Sequence, residues 1–392
     1  MRTAHIVLGM GYGDEGKGVF SDYLAATLHR PVVIRFNGGH QCGHTVLHPG
    51  GHRHVFSNFG AGSFRAAPTF ISPFCTIDPT GIVREFRALQ RLGTTPVLYI
   101  DPLAMVTTPF DKFYNINDRA NLAHGTVGVG FGATVERNQG PYKLYARDLF
   151  HPGIFTRKLD AVRDYYRNRM KARGLECCLE ALELEIMRVD QFLLDVKQAR
   201  DVVRLLPEAQ LFGMGFENCI FEGGQGILLD MDCGMFPHVT RSNTTSKNAF
   251  EMLRRNDQRA DTTVHYLTRA YQTRHGNGWM STENHPVALL NNEQETNGPG
   301  GHQGEFRTGI LDRDMLKYAL DCDSIFCEGR HSQSVKKQMV VSCLDQLTNY
   351  QYLSDEVVET APDLDSFLQQ VSLCDHLMIN DSPASKTVRR WW

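Results

Sequence analysis

The chain has 392 residues, of which 42% are hydrophobic and 22% are charged, and its formal net charge at pH 7 is −3. This length and apolar content predict a large core, while the near-neutral charge provides no overall attraction for nucleic acid. We find no run of about 18 apolar residues that would span a membrane and no signal-peptide pattern, which predicts a cytoplasmic protein. The ten cysteines form no C-x-x-C pair, so we interpret them as reduced thiols.

Short apolar runs alternate with helical stretches along most of the chain. Seven runs predict buried strands: HIVLG, PVVIRF, PVLYI, CIFEGG, VHYLTRAY, SIFCEG and LMIND. Many precede Gly-rich turns, which favours an α/β fold with a mainly parallel central β-sheet flanked by helices. We interpret residues 1–392 as a single domain, with a helical subdomain at 151–212 where apolar residues recur at helical spacing. The Gly-dense segments 124–140 and 291–309 predict long active-site loops.

The first motif, GMGYGDEGKG at residues 9–18, is close to a phosphate-binding loop but departs from its pattern. In G-x-x-x-x-G-K-[ST] the backbone N–H groups and the Lys bind phosphates, and the final hydroxyl binds Mg²⁺. Lys17 fits, but Gly18 replaces the hydroxyl residue and Asp14 lies inside the loop. The helix predicted next, VFSDYLAATL, would direct its N-terminus at an anion. Asp14 is either an N-cap, or a metal ligand or general base.

The second motif, RFNGGHQCGHTV, places histidines among glycines at the end of a predicted strand. A His in this setting can donate a hydrogen bond to a transferring phosphoryl oxygen or protonate a leaving oxygen. We interpret His44 as such a contact in preference to a zinc ligand, because the intervening glycines disfavour the helix that would align it with His40. His40 is interpreted as structural.

Two further motifs carry polar groups beside predicted strands. In FEGGQGILLDMDCGMFPHVTRSNTT, the amide of Gln225 can read a base edge, whereas Thr240 and Thr244 either hold a phosphate or form turns and caps. In LTRAYQTRHGNG, Arg269 and Arg274 are either solvated charges or a clamp for an anionic substrate. The residues alone leave these alternatives open.

Taken together, six motifs resemble those of the adenylosuccinate synthetase family in their order and approximate spacing: GYGDEGKG, GGHQCGHT, GTVGVGFG, FEGGQGILLDMDCGMFPHVTRSNTT, LTRAYQTRHGNG and RTGILD. The resemblance covers residues 5–345 and is weak at 151–212. It implies a divergent GTP-dependent ligase that uses Mg²⁺ and phosphorylates O6 of an IMP-like nucleotide. The amine of aspartate then displaces the phosphate. It also implies a homodimer that binds only small molecules.

The resemblance further implies roles for individual residues. Asp14 would be the base and a Mg²⁺ ligand, His44 the acid in phosphoryl transfer, and Gln225 the amide that positions the purine. The other implied contacts are Gly13, Lys17, Gly43 and Thr45 for the GTP phosphates, with the Gly43 carbonyl also on Mg²⁺; Gln41, Thr126, Thr240 and Arg274 for the purine nucleotide; Arg307 and Thr308 for the amino acid; and Asp345, within the region 339–392, for guanine.

The chain departs from the family pattern around the 5′-phosphate of the purine nucleotide. Val127 stands in place of a threonine, Gln41 in place of an asparagine, and Pro141 in place of an arginine that reaches this phosphate from the partner subunit. Arg137 and Lys143 are the candidates to replace that arginine. We expect a weakened or relocated phosphate site.

The amino-acid and guanine sites depart as well. Gly304 and Phe306 stand where the family has arginines, although Arg307 is retained. Cys343 replaces a lysine beside the retained Asp345. Because Gly and Phe cannot replace bidentate guanidinium contacts, we expect inefficient use of IMP and aspartate. GTP is expected in preference to ATP.

Two alternatives accompany this interpretation. One is a family ligase for another amine or another purine nucleotide, such as a guanine or deoxy nucleotide, as in the phage 2-aminoadenylosuccinate synthetases. That branch lacks the loop aspartate, so Asp14 argues against it. The other is a purine-nucleotide-binding regulator without activity. The presence of Asp14, His44 and Gln225 argues against this reading, because binding alone requires neither a base nor an acid.

Overall fold

The computed structural model describes residues 2–48, 50–118, 126–175, 179–290, 304–327 and 335–392. The strands, numbered in chain order, are β1 (Thr3–Gly9), β2 (Pro31–Arg35), β3 (His44–Leu47), β4 (Arg53–Phe56), β5 (Thr69–Ile71), β6 (Thr76–Ile77), β7 (Leu98–Ile100), β8 (Met105–Val106), β9 (Val203–Leu205), β10 (Asn218–Glu222), β11 (Asp261–Arg269), β12 (Tyr271–His275), β13 (Phe306–Asp312), β14 (Val335–Ser342), β15 (Tyr350–Ser354), β16 (Val357–Ala361), β17 (His376–Ile379) and β18 (Arg389–Arg390). The helices are α1 (Lys17–Thr27), α2 (Pro79–Arg91), α3 (Pro109–Asn117), α4 (Phe131–Gln139), α5 (Pro152–Ala172), α6 (Leu179–Val202), α7 (Glu208–Leu211), α8 (Lys247–Arg255), α9 (Arg313–Cys327) and α10 (Leu364–Val371).

A large central sheet organises these elements. Ten strands lie in the order β18-β17-β14-β11-β1-β10-β2-β5-β7-β9, and every neighbouring pair is parallel except β17 and β18. The strands β12, β13, β15 and β16 form a second sheet, and β3 pairs with β4 in a hairpin. The predicted α/β fold with a mainly parallel central sheet is therefore confirmed.

Six of the seven predicted strands are present, as β1, β2, β7, β10, β11 and β17. The seventh, SIFCEG, is wrong, because its first four residues form the last turn of α9. Leu316, Ala319, Asp323 and Cys327 are buried along one face of this helix at spacings of three and four residues. A short apolar run at the end of such a face cannot be distinguished from a strand by composition. The last two residues of SIFCEG lie outside the described residues.

Helices on both faces of the sheet explain why three consecutive residues of β1, Ile6, Val7 and Leu8, are apolar. Successive strand side chains point to opposite faces. Val7 packs with Phe20 and Leu24 of α1, whereas Ile6 and Leu8 belong to the cluster that includes residues of α8 and α9. Because neither face contacts water, both sets of side chains are apolar.

The segment 151–212 is mainly helical, as its pattern predicts. It contains α5 and α6, whose buried residues Phe155 and Phe192 pack in one cluster with Leu98 and Ile100 of β7. It also contains β9, the edge strand of the central sheet, so the segment is continuous with the sheet. Its description as a subdomain stays an interpretation.

Two observations concern the cysteine thiols and the predicted absence of a membrane-spanning helix. The eight cysteines among the described residues have free thiols. Within the described ranges, no helix combines the length and apolar character needed to cross a membrane.

Candidate active site

A cleft of about 1090 Å³ opens at the carboxyl ends of the central strands. In open parallel sheets, ligands bind at this edge because the loops after the strands converge there. The residues that follow β1, β2, β10, β14 and β17 line it, together with the end of β11. They include most of the predicted site: Gly13, Asp14, Lys17, Gln41, Gly43, His44, Thr45, Thr126, Gln225, Thr240, Arg274 and Asp345.

The loop after β1 is organised around the buried carboxylate of Glu15. Its Oε1 accepts hydrogen bonds from the backbone N–H groups of Gly11 and Gly13, at 3.1 and 2.8 Å. Its Oε2 accepts one from the Nζ of Lys17. The carboxylate thus takes the backbone donors that a phosphate-binding loop offers to an anion, and Lys17 balances its charge.

The absence of a hydroxyl residue after Lys17 has a steric cause. A Cβ on Gly18 would lie 2.7 Å from the Cβ of His44 and 3.1 Å from its carbonyl carbon. A Ser or Thr at this position would therefore displace His44 from the cleft. His44, which the second motif contributes, therefore leaves no room for the hydroxyl that binds the metal in an ordinary phosphate-binding loop.

Asp14 lies at the mouth of the loop with a positive φ of 64°. His275 Nε2 donates a hydrogen bond to its Oδ2 at 3.1 Å, and Arg269 Nε donates to its backbone carbonyl. Burial raises the pKa of Asp14, but the His275 hydrogen bond and the charges of Arg269 and Lys17 outweigh burial and hold this pKa below its ordinary value. The carboxylate is therefore ionised at neutral pH and can accept a proton or bind a cation.

His44 is held by the buried carboxylate of Glu222. Its Nδ1 donates to Glu222 Oε1, while Glu222 Oε2 accepts from the Ala61 N–H at 3.0 Å. Burial lowers the pKa of His44 despite the attraction of Glu222. Burial raises the pKa of Glu222, but His44 and Arg35 outweigh it and lower that pKa. Glu222 therefore fixes the tautomer with hydrogen on Nδ1, and the buried Nε2, which has no partner in the described chain, is left for a ligand.

Two glutamine side chains add further unpartnered groups. Gln225 Oε1 is buried without a hydrogen-bond partner among the described residues, and the same holds for both amide atoms of Gln41. Gln225 and Cys343 share the positive φ of Asp14, at 62° and 59°. Non-glycine residues rarely adopt a positive φ, and those that do concentrate at functional sites. A ligand in the cleft would supply the missing partners.

At the end of the cleft predicted for the 5′-phosphate, Thr126, Val127 and Thr240 are among the lining residues. The Thr126 hydroxyl donates to Asn115 Oδ1 at 2.9 Å. The expectation that Arg137 replaces the family arginine is wrong. This guanidinium is 1% exposed and bonded to Asp111, so it cannot reach a ligand.

The second candidate, Lys143, is exposed and lies outside the residues that line the cleft. It therefore makes no contact with the cleft of its own chain.

The side chains of Arg274 and Arg307 are already hydrogen-bonded within the protein. Arg274 donates to the carbonyls of Trp279 and His238, at 2.8 and 3.0 Å, and stacks 4.0 Å above the Tyr12 ring. Arg307 donates to the carbonyls of Gly276 and Gly278 and pairs with Glu283 at 2.8 Å.

Arg307 and Thr308 are not among the described residues that line the cleft. The Thr308 hydroxyl donates to the carbonyl of Val287 at 3.4 Å. Most of the predicted loop 291–309, up to residue 303, lies outside the described residues.

The predicted guanine site lies where β14 and β17 end. Asp345, Cys343, Asn380, Ser382 and Pro383 all line this part of the cleft. Asp345 Oδ2 accepts a hydrogen bond from Gln346 Nε2 at 2.8 Å. A carboxylate in this position can accept from the N–H groups of a base edge.

Sequence reasoning missed three residues of this site. Glu222 ends the apolar run CIFE, and a carboxylate at the end of a buried strand is a signal that could have been used. Glu15 and His275 stand inside quoted motifs, but their contacts depend on the folded loop and on the pairing of distant segments. His275 lies 261 residues from Asp14 in the sequence.

Comparison with known proteins agrees with this arrangement. The sequence model of the family described as adenylosuccinate synthetase matches residues 6–371. The adenylosuccinate synthetase of Thermoplasma volcanium is 29% identical over 336 residues, which cover 83% of this chain and 73% of the relative. That of Shewanella piezotolerans is 31% identical over 378 residues, which cover 91% of this chain and 82% of the relative.

Solved structures share the fold. Fully ligated adenylosuccinate synthetase from Plasmodium falciparum superposes with a TM-score of 0.70 at 18% identity, over 98% of both chains. The succinoaminodeoxyadenylate synthetase PurZ of cyanophage S-2L, bound to dGMP and to dATP as energy donor, superposes with a TM-score of 0.65 at 16% identity, over 100% of this chain and 95% of its own. The chain therefore belongs to the adenylosuccinate synthetase family and is a GTP-dependent carbon–nitrogen ligase.

Proposed function

We propose that this ligase transfers the γ-phosphate of GTP to O6 of an IMP-like 6-oxopurine nucleotide and then replaces that phosphate with the amine of aspartate. The observation that carries the proposal is the convergence of Asp14, His44 and Gln225 in one cleft, where His44 Nε2 and Gln225 Oε1 have no partner among the described residues. A base, a proton-exchanging imidazole and a purine-positioning amide are the groups that this reaction needs.

In the first step, the ionised Asp14 accepts the proton from N1 of the purine, which places negative charge on O6. O6 forms a bond to the γ-phosphorus as the bond to the GDP oxygen breaks. His44, whose Nδ1 donates to Glu222, donates from Nε2 to an oxygen of the transferring group when its ring is protonated, and the Glu222 carboxylate stabilises that imidazolium. In the second step the amine attacks C6, and inorganic phosphate leaves with the O6 oxygen.

The residues present fit a Mg²⁺ ion, which usually takes only one or two carboxylates and completes its ligands with substrate phosphates and water. Asp14 supplies an ionised carboxylate in the cleft, and Gly43 lines the same cleft. When bound, the ion neutralises charge on the phosphates. We therefore assign Asp14 and the Gly43 carbonyl as its protein ligands.

A second candidate acceptor is a guanine or deoxy nucleotide. The substitutions Val127 and Gln41, together with the similarity to the phage enzyme bound to dGMP, favour testing it. Asp14 argues against it, since we expect that branch to lack this residue. We also retain as proposals a homodimer and a cytoplasmic location; light scattering of the purified protein tests the first.

Product identification by mass tests the whole proposal. Purified protein is incubated with Mg²⁺, either GTP or ATP, and a panel of IMP, dIMP, GMP and dGMP with several amino acids. We expect an N6-succino nucleotide from IMP, GTP and aspartate. Product from dGMP alone would establish the second candidate. Nucleotide binding without any product would establish the regulator instead.

A further inference from the structure

One cation in the cleft has no assigned role. Arg241 follows Thr240 in the loop after β10 and lines the same cleft as Thr126 and Val127. Its side chain is 50% exposed. Its Cδ lies 3.6 Å from the position that a Cβ on Gly132 would occupy, so the side chain crosses the first turn of α4.

The start of α4 favours an anion. Its N-cap is Gly130, with φ 85° and no side chain that accepts a hydrogen bond from the first turn. The N–H groups of a first turn carry partial positive charge and need acceptors. Gln41, whose amide atoms are buried without partners in the described chain, lines the same cleft. Backbone N–H groups and the Arg241 guanidinium therefore meet at the start of α4, and Gln41 offers a further amide in the same cleft.

The charges around Arg241 leave its guanidinium available to an anionic ligand. Glu136 pairs with Arg241 at 3.3 Å and also with Arg169. Two guanidinium groups on one carboxylate leave one net positive charge. Arg169 is held further by the hydroxyls of Tyr114 and Tyr165, whereas Arg241 is the more exposed of the two. A half-exposed ion pair at this distance contributes little, so Arg241 can turn to a dianionic ligand at small cost.

We propose that Arg241 binds the 5′-phosphate of the purine nucleotide and supplies, from the same chain, the cation that Pro141 does not provide. This inference rests on the proposed function, because it names the group that holds the acceptor in that site. Neither residue predicted to replace the family arginine contacts the cleft of its own chain. Arg137 is buried, and Lys143 lies outside the lining residues. Arg241 thus completes a phosphate site at the start of α4.

The test compares the binding of IMP and inosine, which differ only in the phosphate. Isothermal titration of Arg241→Ala is expected to show IMP affinity lowered roughly ten- to a hundredfold, the loss for a charge-assisted hydrogen bond, with inosine affinity unchanged. Arg241→Lys should retain most of the preference for IMP. Lys247→Ala is the matched control, because Lys247 is similarly exposed and ion-paired but is not among the residues that line the cleft; it lines only the neighbouring cavity, which Arg241 also borders.

Three outcomes overturn the inference: equal losses for IMP and inosine in Arg241→Ala, unchanged affinity for IMP, or an equal loss of IMP affinity in Glu136→Gln, which would assign the effect to the ion pair. Product assays separate this failure from failure of the proposed function. If the wild-type protein forms the N6-succino nucleotide while Arg241→Ala has an unchanged KM for IMP, only the assignment of Arg241 is wrong. If the wild-type protein forms no product with any nucleotide, the proposed function fails as well.

Discussion

The two ends of the cleft differ in how far their polar groups are already bonded within the protein. At the end that carries Asp14, His44 and Gln225, the atoms His44 Nε2 and Gln225 Oε1 have no partner in the described residues. At the opposite end, Arg274 and, outside the lining residues, Arg307 already donate to backbone carbonyls, and the buried Nε–H group of each has no acceptor among the described residues.

This difference distinguishes the groups that act on the reacting atoms from the groups that recognise the substrates. Unpartnered groups at the first end are prepared for a ligand, because burying such atoms without one costs free energy. Guanidinium groups fixed by carbonyls at the second end must exchange partners, or use Nε alone, to hold a carboxylate. We infer that the chain retains O6 activation more strictly than it retains the family's preference for its substrates.

The largest effect is expected at the first end. Asp14→Asn removes the base and a charged Mg²⁺ ligand together while preserving shape, so turnover should fall by about 10⁴-fold, with an unchanged melting temperature. Product formation and circular dichroism are the measurements. Asp232→Asn, at an exposed carboxylate outside the cleft, is the control. Turnover of Asp14→Asn close to that of the wild type would disprove the role of Asp14 as base.

His44→Asn should slow phosphoryl transfer by about two to four orders of magnitude, because it removes the Nε2 hydrogen bond to the transferring group. Glu222→Gln should give a smaller loss, since it keeps His44 in place but no longer favours hydrogen on Nδ1. Rapid-quench measurement of the O6-phosphorylated intermediate separates this step from binding. A loss below about threefold for His44→Asn would assign it a structural role.

For the contacts that recognise the substrates, we expect kcat/KM for IMP and aspartate roughly a hundredfold below that of the Shewanella piezotolerans enzyme assayed in parallel. The reason is that Gly304 and Phe306 stand in place of arginines and Val127 in place of a threonine, whereas Arg241 supplies the cation missing at Pro141. Steady-state kinetics on both substrates decide the question. Equal values for the two enzymes would show that other groups compensate and that both ends are retained.

We propose that the guanine site is among the recognition groups that the chain keeps. Asp345→Ala should weaken GTP roughly ten- to a hundredfold, because it removes a charged acceptor for the N1–H and N2–H₂ groups of guanine. ATP lacks these donors and should be affected little. Competition titrations with GTP and ATP measure the ratio. Equal losses for both nucleotides would mean that Asp345 does not read the base.

Local patterns predicted most of the sheet and α1 because periodicity and strand-end glycines are visible in the sequence. Motifs predicted Asp14, His44 and Gln225 as site residues for the same reason, since each lies in a short segment whose residue pattern is recognisable in the sequence. The burial of Arg137 could not be predicted, because its partner Asp111 belongs to α3, 26 residues away, and an isolated arginine resembles a surface charge.

The hydrogen bond between His275 and Asp14 depends similarly on tertiary structure. It depends on the pairing of β11 with β1, which brings the segment after β11 beside the loop after β1.

The buried pair His5 and His265 provides the contrasting case of polar groups that serve each other rather than a ligand. His5 Nδ1 lies 3.1 Å from His265 Nε2, and their rings stack 5.4 Å apart between β1 and β11. Burial lowers the pKa of His5 from 6.5 to about 4, and burial together with the charge of His5 lowers the pKa of His265 well below its ordinary value. Charging either ring therefore disfavours the folded state.

Because these folded-state pKa values lie below the unfolded value, the unfolded chain binds more protons, and stability is highest above about pH 6.5 and falls as pH approaches 4. His5 alone should cost about 2 kcal/mol between pH 7 and pH 5. Urea unfolding at both pH values measures this loss, which His5→Gln should reduce. His29→Gln is the control, because the His29 side chain is 76% exposed. An unchanged pH dependence in His5→Gln would show that the strand pair tolerates the charge.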